Sequence, residues 1–128
     1  MNYREITLEE HGSLRSVEIA YDMQIPSIHI NLENSEHAFH GDNLFSCFIE
    51  LRKVFPEITF FCKGAKKNVY PSRASSQMSS GLMAYELQQG KQALRANIVN
   101  IFDYEDQDLT NDPVVQLDFF KSWMASLK

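Results

Sequence analysis

Three groupings of side chains in this chain have residue types that can do chemistry. His37 and His40, with Glu33, Glu36 and Asp42 close by and His29 upstream, offer imidazole and carboxylate ligands of the kind that hold zinc. Their spacing is not that of a helical zinc motif, which needs histidines at i and i+4 around a glutamate. The segment from Glu33 to Asn43 therefore reads as an exposed polar loop, and no metal is expected. Lys63, Lys66, Lys67 and Arg73 form a cationic group with Ser72, Ser75 and Ser76 at an expected helix start. Lysines and first-turn amides together can bind a phosphate or carboxylate. Gly64 has no second glycine placed before a Gly-Lys-Ser/Thr, so this is not a phosphate-binding loop of the Walker type.

The third grouping is acidic: Asp103, Glu105, Asp106, Asp108 and Asp112, with Tyr104 among them. It lacks the ordered Asp-x-Asp-x-Asp-Gly and terminal glutamate of a calcium loop. It reads either as a solvated loop or as a surface that meets a basic partner, where opposite charge speeds encounter and disfavours wrong partners. No Gly-x-Ser-x-Gly elbow and no legible Cys/His pairing is present, so no catalytic residue is assigned.

The elements that must position these groups follow from periodicity. Tyr3–Leu8, Ser13–Tyr21 and Ser27–Leu32 alternate apolar and polar residues and predict three strands, with a turn at His11 and Gly12 and with His29 on the polar face. Asp42 is the expected N-cap of a helix whose stripe is Leu44, Phe45, Phe48, Leu51, Val54 and Phe55, stopped by Pro56. Ile58–Cys62 reads as a buried strand and Lys63–Asn68 as a polar turn. Val69 and Tyr70 resume an extended chain that Pro71 keeps out of the helical region. Ser72 then caps a second helix carrying Met78, Leu82, Met83 and Tyr85, with Gly81 inside it and Gly90 at its C-terminus. Ile98–Phe102 is a further strand, 103–112 a loop, and Pro113 starts a C-terminal helix with Val114, Leu117, Phe120, Trp123, Met124 and Leu127 expected inward.

That order, βββαβαβα, predicts residues 1–128 as a single α+β domain with a mixed or mainly antiparallel sheet of about five strands and three helices. The 128 residues, 44% hydrophobic and 23% charged, match an ordinary globular protein. Twelve Lys and Arg against seventeen Asp and Glu give a net charge of -5, which disfavours direct nucleic-acid binding and suits a basic partner. No cationic stretch leads into an apolar one near the start, and no apolar run approaches a membrane span, so a cytoplasmic protein is expected. Cys47 and Cys62 lie in apolar patterns without metal or redox spacing and are expected as buried thiols.

Cys62-Lys-Gly-Ala65, Val69-Tyr-Pro-Ser-Arg73, Gly81, Ala84-Tyr85, Gly90-Lys91 and Val99-Asn-Ile-Phe102 together make a pattern. Over roughly the second half of the chain it resembles small bacterial immunity proteins of polymorphic toxin and contact-dependent growth inhibition systems. Where that family pattern has an apolar residue, often Met, this chain has Ala74. The resemblance implies a non-enzymatic inhibitor, without cofactor, that binds the C-terminal domain of a cognate toxin, often a nuclease, in a 1:1 complex. The contact expected on that reading is Asp103, Tyr104, Glu105, Asp106, Asp108 and Asp112. The rival reading is a small enzyme or anion-binding domain using Lys63, Lys66, Lys67, Ser72 and Arg73.

Overall fold

The N-terminal alternation folds into a meander. In a computed structural model, which describes residues 1–127, β1 (Asn2–Glu10), β2 (Ser13–Asp22), β3 (Ser27–Leu32) and β4 (Ser35–His40) join β5 (Thr59–Phe60) in a five-stranded antiparallel sheet ordered β4-β3-β2-β1-β5. Ile6, Leu8, Ile19, Ile28, Ile30 and Leu32 are buried on one face, as the period of two dictates. Against that face lies α1 (Leu44–Val54), whose Leu44, Phe45, Cys47, Phe48 and Leu51 complete the main core.

A second, three-stranded antiparallel sheet contains β6 (Val69–Tyr70), β7 (Met83–Glu86) and β8 (Ile98–Asn100) in the order β6-β7-β8. The short helix α2 (Arg73–Met78) precedes β7, and α3 (Pro113–Ser126) closes the described chain. The α+β class, the antiparallel pairing and the three helices agree with the sequence. No helix among the described residues is long and apolar enough to cross a membrane.

Several local expectations are corrected. Ser35–His40 is a strand and not part of a loop, because Glu33 and Asn34 both take positive φ (53° and 62°) and pair Leu32 with Ser35 across a two-residue hairpin turn. Asn43, not Asp42, caps α1, its side-chain oxygen accepting from the Ser46 amide at 2.8 Å. The second helix ends at Met78, and Met83–Glu86 becomes a strand bonded on both sides by β6 and β8. Gly81, expected inside that helix, sits at φ +77° in the turn between α2 and β7, where a Cβ would lie 2.7 Å from the Asn43 side chain. Finally, α3 does not bury the expected stripe: Val114, Leu117, Met124 and Leu127 are exposed, and Gln116 is the buried residue.

Cys47 and Cys62 are both free and buried. Burial pushes the Cys47 thiol up to about 11 and the Cys62 thiol up to about 12, so neither is a thiolate at neutral pH. Titration with a thiol reagent at pH 8 should leave both unlabelled in the folded protein and label both in denaturant. Rapid labelling of the native chain would contradict their placement.

Candidate functional site

The acidic loop is held along its length. The Lys63 amide donates to the Asp103 carbonyl at 2.8 Å, the Glu105 amide to Phe61 at 3.2 Å, the Lys67 amide to Asp108 at 2.9 Å and the Thr110 amide to Ala65 at 2.9 Å. This zipper runs beside a one-turn 3-10 segment, Lys63–Ala65, that needs Gly64. The Gly64 amide donates to Ile101 at 2.7 Å, and a Cβ there would lie 2.9 Å from Ile101 Cβ and 3.0 Å from the Phe48 ring. A side chain at that position would therefore push the Lys63–Ala65 turn away from Ile101 and α1.

The zipper brings the cationic and acidic groupings together. Lys66 Nζ lies 2.9 Å and Lys63 Nζ 3.1 Å from Glu105 Oε1, and Lys63 also meets Glu86 Oε1 at 3.0 Å. The other Glu105 oxygen accepts from the amides of Asp106 and Gln107 at 3.0 and 2.9 Å. Burial alone would push this carboxyl up. The hydrogen bonds from Lys66, the Gln107 amide and Lys63 outweigh burial and hold it at about 2. The same contacts raise Lys63 despite its partial burial.

This arrangement corrects both site expectations in part. Glu105 is 8% exposed and faces inward, so it cannot be a surface contact. Asp103 is paired with Arg4, and Asp112 accepts the Val114 amide at 2.9 Å as the N-cap of α3. Lys63 and Lys66 are engaged by carboxylates and are not free to meet an external anion. The Ser72 hydroxyl accepts the Ser75 amide at 3.0 Å in a capping box, while Lys67 and Arg73 stay exposed. What the loop presents outward is Tyr104, 60% exposed, with Asp106 and Asp108.

A second polar group lies beneath the loop. Arg52, 1% exposed, donates to Gln116 Oε1 at 2.6 Å, the Gly64 carbonyl at 3.3 Å and the Thr110 carbonyl at 2.8 Å. Its guanidinium carbon stands 5.5 Å over the Phe48 ring. Gln116 Nε2 in turn donates to the Gly64 and Lys66 carbonyls, both at 2.8 Å. Burial lowers Arg52 to about 10, which leaves it charged at neutral pH. Sequence reasoning overlooked this pair. Its signal was spacing, since Arg52 continues the stripe of Phe45 and Phe48 and Gln116 that of Phe120 and Trp123.

The histidines do not assemble. His37 faces the core, 5.0 Å edge-on to Phe55, whereas His40 stands 6.4 Å from His29 on the opposite face of the sheet. Residues three apart in a strand point to opposite faces, so the pair cannot share an ion. The one group of three mutually close ligand side chains among the described residues is Glu10, Glu33 and Glu57, and Arg15 already meets Glu10 at 3.1 Å.

No known protein family matches the chain, and no curated protein matches it either.

Proposed function

We propose that the chain is an immunity protein. It acts in the cytoplasm and binds the toxic C-terminal domain of a polymorphic toxin, a nuclease-type domain with a basic cleft, in a 1:1 complex that blocks the active site or substrate surface. The observation that carries this reading is the presentation of Tyr104, with the exposed Asp106 and Asp108, on a loop pinned by the Glu105 cluster. An aromatic that is already ordered costs little further entropy on binding, and Tyr is among the residues that anchor interfaces. Asp106 and Asp108 beside it complement the cationic surface with which a nuclease holds its substrate backbone.

The reading expects a polymorphic toxin gene directly upstream, and co-expression with the C-terminal domain of that toxin tests the function. The expected results are restored growth and a stoichiometric complex on gel filtration, and a toxic domain that the chain neither binds nor neutralises would overturn the reading. Reversing Asp106 and Asp108 to Lys should slow association about tenfold at low salt, with a smaller effect at high salt, as expected of steering by charge. Stopped-flow binding measures this, and an unchanged rate would remove the loop from the contact.

A further inference from the structure

Among the described residues no helix lies on the outer face of the five-stranded sheet, since α1 packs against the inner face. In register across that face, Tyr3 opposes Ala20, Ala20 opposes His29 and His29 opposes Ala38. One step along, Glu5 opposes Glu18 and Asn31 opposes Glu36. Like charges placed directly opposite destabilise a sheet. The alternate positions of this face offer Glu5 and Glu18 no Lys or Arg. A shallow depression of about 160 Å³ lies here, lined by Tyr3, Glu18, Ala20, His29, Asn31 and Glu36.

The same face ends in an open edge. β4 is the terminal strand of the sheet, and the tight turn makes Leu32 and Ser35 the first pair to exchange backbone hydrogen bonds. His37 and Phe39 therefore direct their backbone groups towards β3, and Glu36, Ala38 and His40 direct theirs outward. Among the described residues no backbone group of 35–40 has a backbone partner beyond the β3 ladder. Exposed edges are normally blunted by lysine, proline, a bulge or a covering element. Ser-Glu-His-Ala-Phe-His carries none of these residues, and its side chains at 36, 38 and 40 are exposed.

We infer that the β4 edge receives an extended, Lys- or Arg-bearing segment of the protein partner as an added strand. Backbone groups of Glu36, Ala38 and His40 pair with it, and its cationic side chains fall beside Glu36 and the depression. Strand addition takes its affinity from main-chain hydrogen bonds and its selectivity from alternate side chains. The acidic face is what selects a cationic segment; a second copy of this chain would instead add its own net charge of -5 to the same sheet. The inference rests on the proposed binding of a basic partner and adds a contact on the sheet edge opposite β5.

The probe is a short peptide alternating Lys and Thr, titrated at physiological salt into the isotopically labelled full chain. Amide shifts and slowed hydrogen exchange are expected at Glu36, Ala38 and His40. Ala38→Pro removes an outward N–H that the ladder does not use, so the circular dichroism spectrum should be kept while peptide affinity falls about tenfold or more. Glu36→Lys should weaken the peptide about as much, and Asp118→Asn, one charge removed from exposed α3, by less than about twofold. Shifts confined to other surfaces, the absence of shifts, a dimer formed through β4, or equal losses in all three variants would overturn the edge assignment. With the toxic domain the two ideas separate. Undiminished binding by Ala38→Pro rejects the edge and leaves the function standing, whereas peptide binding at β4 without toxin binding rejects the function and leaves the edge.

Discussion

Replacing Arg52 by Ala is expected to lower the unfolding free energy by about 3–5 kcal/mol, because each buried acceptor left without its donor costs about 1–3 kcal/mol and the cavity adds to that. The side chain reaches from α1 to three separate segments: the turn at Gly64, the loop end at Thr110 and α3 at Gln116. Its loss leaves the Thr110 carbonyl and Gln116 Oε1 without their charged donor and opens a cavity under Phe48. Gln116→Ala should cost less, because the Gly64 carbonyl keeps its bond from Arg52. The two sites share partners, so a double-mutant cycle should return a coupling of at least about 1 kcal/mol. Urea titration reads these effects as a shift in midpoint at constant slope. A loss below about 1 kcal/mol for Arg52→Ala would mean that packing, and not this network, holds the loop to α3.

The parts of the fold legible in the sequence are those where local pattern and tertiary demand agree. β1, β2 and β3 follow from alternation, close to period two in β2, and α1 from a stripe stopped by Pro56, although its cap is Asn43 and not the expected Asp42. β4 was hidden because its turn, Glu33-Asn34, is not the glycine-bearing pair that usually marks such hairpins, although Asn tolerates positive φ. The segment after Ser72 has helical spacing at Met78, Leu82 and Tyr85, yet the structure leaves Met78 87% exposed and gives Met83–Glu86 two strand neighbours. Backbone pairing supplied by β6 and β8 outweighed a weak local preference. In α3, one buried amide replaced the expected apolar stripe, a choice made by carbonyls of the distant 64–69 segment and invisible within the helix itself.

The candidate site was legible as composition and illegible as arrangement. Lys63 and Lys66 are 39 to 42 residues from Glu105, and nothing in either stretch announces that they meet. Their meeting splits the loop's carboxylates into two sets. Asp103, Glu105 and Asp112 shape the loop, and Asp106 and Asp108 remain exposed. A loop with five carboxylates between positions 103 and 112 repels itself unless an internal counter-charge holds it in one conformation. Here two half-buried lysines supply it.

Glu105 therefore gives the second large effect, and pH exposes it. Its carboxyl sits at about 2 in the folded protein against about 4.5 for an unperturbed Glu. A depressed folded value means that the stabilisation is fully present above about pH 4.5 and is lost as pH falls from there towards 2. Glu105→Gln fills the same space without the charge. It leaves Lys63 to Glu86 alone and strips Lys66 of its nearest carboxylate, since Glu86 is 3.7 Å away. At neutral pH this should cost about 2–3 kcal/mol, below the range for fully buried pairs because both lysines keep some water. The variant should also lose less stability than the parent between pH 4.5 and 2, because the group responsible for that limb is gone. Urea midpoints measured across this range distinguish the two curves. Parallel acid limbs would show that Glu105 is not held down by the lysines, and the loop would then owe its order to the backbone zipper alone.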